Sequence, residues 1–316
     1  MLSLLRKGTD REKEKSVADD AVTVMPVRQM EGYDARGQED LTVQMVPPMV
    51  FPDQIKICAA SLIGGRKYQQ DAMWYEGRVE EASFDEGGTE KRQDMLAVVC
   101  DGMGGLEGGE QASACAVNKM IECFRQENIP VGNAPAFFRQ AMQVMNHGIC
   151  QLQDEKGNLL ESGSTAVAVY IFENKLYWFS IGDSKIYLMR EDALTCPFLP
   201  HNYRTQLEQR LKEGLLTEEE FLSEMARGEA LVSFLGMGRI REYEVLEEPY
   251  ELRRGDIILL CSDGLYKALT EEQIRNLLDI GREQFDRTAE LLVGAVRDYG
   301  KPPIDNVSVI CIGYDL

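Results

Sequence analysis

Three aspartates share one local design. Asp101 ends the apolar run Leu96-Ala-Val-Val-Cys100 and opens Gly102-Met-Gly-Gly105. Asp263 ends Leu259-Leu-Cys-Ser262 and is followed by Gly264, while Asp305 lies in Pro303-Ile-Asp-Asn306, directly before Val307-Ser-Val-Ile310. Apolar runs of this kind read as buried strands, and the glycines let the backbone turn tightly and approach a ligand closely. Each carboxylate is thus expected at a strand end, with the Gly102 carbonyl able to point the same way as Asp101. Oxygen ligands suit hard cations. Three carboxylates gathered alone would repel and raise their pKa values. Two divalent ions would relieve that, clamp a phosphate and make hydroxide available at neutral pH. An all-oxygen set favours magnesium or manganese over zinc. Taken singly, each aspartate is also an ordinary turn residue; the repetition carries the metal reading. Arg66 lies five residues before Asp71 in a loop after a strand. Arginine can grip a phosphate bidentately, although alone it reads equally as a surface charge. Asp71 either bonds to a metal-bound water or caps its loop.

The elements that must position these residues follow from periodicity and turn residues. Strands are expected at Ile55–Ile63, Ala72–Tyr75 and from Leu96, with a polar hairpin excursion over Glu80–Asp94. A small-residue stripe (Ala112, Cys115, Ala116, Met120, Cys123, Phe124) predicts a helix over Glu107–Gln126. A second helix opens at Pro135 with the stripe Phe137, Ala141, Val144, Met145, Ile149 and Leu152, leaving His147 at the surface. Strands Thr165–Phe172, Lys175–Ile181 and Lys185–Met189 are joined by turns short enough to require an antiparallel meander. Cys196–Gly228 is polar and Glu-rich, with a capped helix start at Thr217, and reads as an insertion over the sheet edge. Strands Glu244–Tyr250 and Asp256–Ser262, helices Glu271–Asp279 and Arg282–Tyr299, and a last strand Asn306–Gly313 complete the chain. The order is not an alternating βα pattern, so an α+β protein with antiparallel sheets and outer helices is expected.

Composition bounds the function. The chain has 316 residues, 44% of them apolar, and a net charge of −19. That balance disfavours nucleic acid or an anionic membrane as partner, since both need basic surface. Eight scattered cysteines and two histidines make a zinc site improbable and fit free, mostly buried thiols in the cytoplasm. No apolar run approaches a membrane span. Residues 1–54 hold a mixed-charge run and four prolines, and are expected to be a flexible segment. Their Val, Met and Pro content suggests docking to a partner.

Together these residues resemble the bacterial-like branch of the metal-dependent Ser/Thr protein phosphatases of type 2C (PPM). The resemblance covers about Ile55 to the C-terminus. It rests on Arg66…Asp71, Asp101-Gly-Met-Gly-Gly105 with Gly109-Glu110, Gly163-Ser-Thr-Ala-Val167, Gly182-Asp-Ser184, Leu260-Cys-Ser-Asp-Gly-Leu265 and Asp305-Asn306. Met103, where animal members have His, and the insertion with Leu216-Thr-Glu-Glu219 resemble bacterial members.

The resemblance implies a phosphatase domain over 55–316: a four-layer α-β-β-α sandwich of two antiparallel sheets flanked by helices, with metals at one end and a helical flap over about 196–230. It implies two Mn2+ or Mg2+ ions, Asp101 bridging both, Gly102 adding its carbonyl to one, and Asp263 and Asp305 holding the other. Arg66 would bind the phosphate of a phosphoserine or phosphothreonine protein, and a metal-bridging hydroxide would attack phosphorus in line, without a phosphoenzyme. Such an enzyme opposes a Ser/Thr kinase.

Departures from the family pattern set further expectations. Gln69-Gln70 replaces Asn followed by Glu or Gln; Gln70 stands for a carboxylate that helps hold metal waters, and Gln69 could shift the loop. Pro200-His201 stands for Asp-His, with His201 expected either as a proton donor or, more simply, on the flap surface. A third metal would use an acid before Gly163; Leu160 occupies that place and only Glu161 is near, which argues against a third ion. Glu161, Gln70 and Asn306 are expected at that ion or behind the ligands, and Asp183 in a structural turn. The alternative reading is a catalytically inactive binding or scaffold module. A third is a phosphatase of small phosphorylated metabolites.

Overall fold

The computed structural model describes residues 43–50, 55–83, 89–104, 108–126, 129, 133–299 and 301–316. The chain opens with strands β1 (Val43–Val50), β2 (Ile55–Leu62), β3 (Asp71–Ser83) and β4 (Thr89–Gly104), then helices α1 (Gly108–Gln126) and α2 (Ala134–Cys150). A meander follows: β5 (Ser162–Ser164), β6 (Ala166–Phe172), β7 (Lys175–Ile181), β8 (Lys185–Arg190) and β9 (Ala193–Thr195). Two short helices, α3 (Tyr203–Lys212) and α4 (Glu218–Glu224), precede β10 (Glu244–Val245), β11 (Tyr250–Glu251) and β12 (Ile257–Cys261). Helices α5 (Asp263–Ala268), α6 (Glu271–Gly281) and α7 (Thr288–Tyr299) lead to β13 (Val307–Tyr314).

One sheet has the order β1-β2-β13-β12-β8-β9. The other runs β10-β7-β6-β4-β3, with β11 also on β7 and β5 on β4, and the strand pairs are antiparallel. The layers explain the unbroken apolar runs. Along β4, Met95, Ala97 and Val99 face the opposite sheet, while Leu96, Val98 and Cys100 face α1 and α2. A strand covered on both faces loses its polar alternation. The second outer layer packs α5, α6 and α7 on β2, β12 and β13 through Leu265, Ile274, Leu292 and Val296. This is the expected four-layer α+β sandwich.

Several expected boundaries move. The sheet starts before residue 55, because Val43–Val50 pairs with β2. Its Pro47-Pro48 pair falls where the register shifts between Val46 and Met49, on an edge strand that tolerates missing donors. Of the expected N-terminal segment 1–54, residues 1–42 and 51–54 lie outside the described residues. Strand β3 runs to Ser83, paired with Thr89, so the expected excursion is an extension of the hairpin itself. In α2 Phe138 and Met142 join the buried face, whereas Val144 is exposed, just past the stripe's edge. Glu244–Tyr250 is two short contacts on β7 rather than one strand. Arg282–Arg287 is a 3-10 segment broken at Gln284, and the α-helix starts only at Thr288. Among the described residues no helix is long and apolar enough to cross a membrane. The eight cysteines are free, five of them buried, and His147 is exposed.

Candidate active site at one end of the sandwich

The sheets bring the singled-out residues to one end. Asp71 at the start of β3 is the register partner of Asp101 near the end of β4. The neighbouring strand fixes Asp101: its N–H donates to Thr165 Oγ1 (3.0 Å), and its carbonyl accepts from Thr165 N (2.8 Å) and Ser164 Oγ (3.1 Å). Across the sandwich, Ser262 N donates to Ser308 O (3.0 Å), holding the Asp263 turn beside the segment that follows Asp305.

Asn306 joins these parts. Its Nδ2 donates to Ile63 O (2.8 Å) and its Oδ1 accepts from Gln70 N (2.9 Å), so one side chain holds both ends of the loop bearing Arg66. The Asn306 N–H donates to Asp305 Oδ1 (2.8 Å). Gly64 has φ +63°, and a Cβ there would stand 2.4 Å from Asp305 O. Such an approach requires glycine. Gly102 N donates to Gln70 O (3.0 Å), and a Cβ on Gly102 would stand 2.0 Å from Gly109 O. The Gly-Gly start of α1 therefore presses directly on the Asp101–Gly102 turn.

Asp71 is buried. Its Oδ2 accepts from Ser262 Oγ (2.7 Å), which accepts in turn from Ser308 N (2.9 Å). Its Oδ1 has no hydrogen-bond partner among the described residues. Burial, helped by the charges of Asp263 and Asp305, pushes this carboxyl up to about 7. Burial, then Asp71, Asp263, Asp183 and Asp305, holds the Asp101 carboxyl well above the usual carboxylate range. Asp183 is pushed up to about 6 by burial and by Asp263. These carboxylates thus share one field.

Two cations face that field. Arg66 Nη2 donates to Asp305 Oδ2 (2.7 Å), and Lys267 contacts the Asp263 carboxylate one turn along α5. Among the described residues no three His, Cys, Asp or Glu side chains close on one ion. The donor chemistry nevertheless fits hard divalent cations. The carboxylates repel one another, Asp71 Oδ1 lacks a partner among the described residues, and every expected metal donor is an oxygen.

Asp101, Gly102, Asp263, Asp305, Arg66, Asp71, Gln70 and Asn306 are thus gathered at this end. Glu161 is exposed on the segment entering β5, outside the bonds just described. Gln69 does not disrupt the loop: it is buried, and its Oε1 accepts from Asp71 N (3.1 Å). His201 is not a surface residue. It is 6% exposed and packs against Gly182, whose carbonyl accepts from His201 N (2.8 Å). Burial lowers its pKa. Asp183 belongs to the carboxylate field as well as to its turn, and Tyr266 OH donates to its carbonyl (3.0 Å). Sequence reasoning missed Ser262, Ser308 and Lys267. Only Lys267 carried a signal, being four residues from Asp263, and that signal needs α5 to be recognised as a helix.

The family model for protein phosphatase 2C matches residues 81–294. The serine/threonine phosphatase Stp of Listeria monocytogenes is 25% identical over 76% of this chain and 93% of its own length. The serine/threonine protein phosphatase PstP of Mycobacterium tuberculosis is 31% identical over 68% of this chain and 39% of its own. Among solved structures, M. tuberculosis PstP/Ppp superposes with a TM-score of 0.64 at 26% identity, over 83% of this chain and 100% of that one. The PstP catalytic domain in complex with two manganese ions gives 0.62 at 26% identity, over 83% and 98%.

Proposed function

The chain belongs to the protein phosphatase 2C family, and on that premise we propose that it hydrolyses phosphoserine and phosphothreonine on proteins at the end of the sandwich that gathers Asp101, Asp263 and Asp305. The carrying observation is that Asp71 and Asp101 lie so close to Asp263 and Asp305 that burial and those charges raise both carboxyls, while Asp71 Oδ1 has no hydrogen-bond partner among the described residues. The two manganese ions bound to the PstP catalytic domain support a two-ion site. Manganese or magnesium there would supply Lewis acidity and a water activated near neutral pH for in-line attack on phosphorus. The Asp101, Asp263 and Asp305 carboxylates and the Gly102 carbonyl would hold the ions. Arg66, exposed at the mouth, would bind the phosphate and hold it against Asp101. Asp71 would accept a hydrogen bond from water at the ligands through Oδ1, with Gln70 behind it. Asn306 would hold the Arg66 loop in place. Without an acid at Leu160 the site is proposed to hold two ions, not three.

The inactive-scaffold reading loses one motive, because Gln69 supports the loop. The enzyme is proposed to act in the cytoplasm, opposing a Ser/Thr kinase. The residues ahead of Val43 carry the docking proposal, since β1 belongs to the sheet. Phosphate release from a phosphothreonine peptide is expected with manganese and not with chelator, and calorimetry is expected to find manganese binding. No release at saturating manganese would overturn the activity. Absence of manganese binding would overturn the site. Removal of residues 1–42 is expected to leave peptide turnover unchanged and weaken partner capture; equal capture would end the docking proposal.

A further inference from the structure

The segment after the flap crosses the same end of the sandwich. Leu235 bridges to Ser164, which is the register partner of Gly102. Glu244 pairs with Ser180, one residue before the end of β7, and Ile181 at that end pairs with Ala166, next to Thr165. The residues between, Gly236 to Tyr243, therefore run from beside the Gly102 edge of the site to the end of β7, on the side of α2. Asn146 of α2 anchors them: its Oδ1 accepts from Gly236 N (2.8 Å) and its Nδ2 donates to Gly238 O (2.7 Å).

This segment lines a hollow of about 560 Å³ with Met237, Arg239, Ile240 and Arg241. Both arginines are exposed, and among the described residues neither has an ion-pair or side-chain hydrogen-bond partner, although the chain carries a net charge of −19. Among the described residues, eight other arginines hold a carboxylate within 3.2 Å, as Arg139 holds Glu247 next to this segment and Arg204 holds Glu229 in the flap. The adjacent carboxylate of Glu242 is taken by Gln206 Nε2 (3.0 Å), and Ile240 packs on the core, fixing the backbone between the two arginines.

We propose that Arg239 and Arg241 form a second anion subsite, which recognises an acidic or additionally phosphorylated residue of the phosphoprotein substrate. The proposal rests on the phosphatase reading above. Three strand spacings separate β10 from β4, roughly 14 Å at about 4.8 Å each. An extended peptide spans that in about four residues. The subsite thus reads a carboxylate or phosphate three to five residues from the scissile phosphothreonine. Two guanidinium groups suit either oxyanion.

The test compares wild type, Arg239→Ala/Arg241→Ala and Arg239→Lys/Arg241→Lys on four probes: para-nitrophenyl phosphate, a phosphothreonine peptide with neutral flanks, the same peptide with Glu four residues to either side, and one with phosphoserine there. In wild type the acidic or phosphorylated flank is expected to lower KM roughly threefold to tenfold with kcat unchanged, as for a partly exposed charge-assisted contact. The alanine pair is expected to lose that gain while hydrolysing the small aryl phosphate as before, and the lysine pair to restore part of it. A larger gain from phosphoserine than from Glu identifies a phosphate reader; equal gains identify an acid reader. The same KM gain in wild type and the alanine pair, or no gain in wild type, overturns the subsite. Loss of aryl phosphate hydrolysis by wild type with manganese would instead overturn the phosphatase reading. Peptide affinities by calorimetry then still decide the subsite.

Discussion

The floor of the site and the flap beside it are held by different physics. The floor is buried: Asp71 is 3% exposed, Asn306 4%, and Ser262 not at all. Its bonds join residues up to 243 positions apart, as from Asn306 Nδ2 to Ile63 O. The flap helices bury one side chain in α3, Leu207, and none in α4. They are held locally instead, by the Asn202 cap on Thr205 N, the Thr217–Glu220 capping box and the exposed Arg204–Glu229 pair. Damage to the floor must therefore spread through both sheets, whereas damage to the flap stays in the flap. A fixed chemistry beside an adjustable wall follows from that division.

The sharpest way to break this comparison is at Asp101. Asp101→Asn keeps shape and hydrogen bonding but removes the shared charge. It is expected to lower kcat at least about a thousandfold, the equivalent of several kcal/mol at the transition state, with the circular dichroism spectrum unchanged. Retained turnover at saturating manganese would show that the floor is not where the chemistry lies.

Acidity gives the next largest effect. The folded Asp71 carboxyl sits at about 7 against an ordinary 3.8, so the native state holds its proton more tightly than the unfolded chain. The resulting penalty is absent below the unfolded value, grows between the two, and is complete above about 7. In chelator, stability measured by urea unfolding is expected to fall by on the order of 2–4 kcal/mol between pH 4 and pH 8 from this group, with Asp101 acting in the same direction. Asp71→Asn should flatten part of that fall. A slope of opposite sign would remove the crowded-carboxylate account.

Asn306→Ala strands the Gln70 N–H and the Ile63 carbonyl. Both bonds are part-buried, so the loss stays at or below the roughly 1–3 kcal/mol of a fully buried unpaired group; the unfolding midpoint should drop and KM should rise as the Arg66 loop loosens. Thr217→Ala removes the capping box of α4, worth about 1 kcal/mol to that helix. Its effect should appear as faster amide exchange in α4, with the global midpoint and aryl phosphate turnover almost unchanged. If Thr217→Ala destabilised the whole chain as much as Asn306→Ala, the two regions would not differ as described.

Much of the candidate site's placement was legible because strand ends announce themselves. Asp101, Asp263 and Asp305 each follow or precede an apolar run, and buried strands are read from such runs. Lys267 and Ser262 were not legible. One needed the short helix after Asp263, and the other carries no pattern beyond a common residue type. His201 was misplaced because a polar residue in a polar stretch gives no sign of the Gly182 turn that covers it. Strand β1 was missed because two prolines argue against a strand, unless that strand is at an edge and bulged at them.

Composition and periodicity alone determined the class of fold, the oxygen-rich donor set and the sandwich's inner runs, because burial on two faces writes itself into consecutive residues. Only the tertiary structure decided which groups share a field, that Asn306 holds the Arg66 loop, and that Arg239 and Arg241 line one hollow without ion-pair partners among the described residues. Those facts depend on pairing between distant segments, and the register that sets such pairing is a property of the assembled sheets rather than of any one stretch of chain.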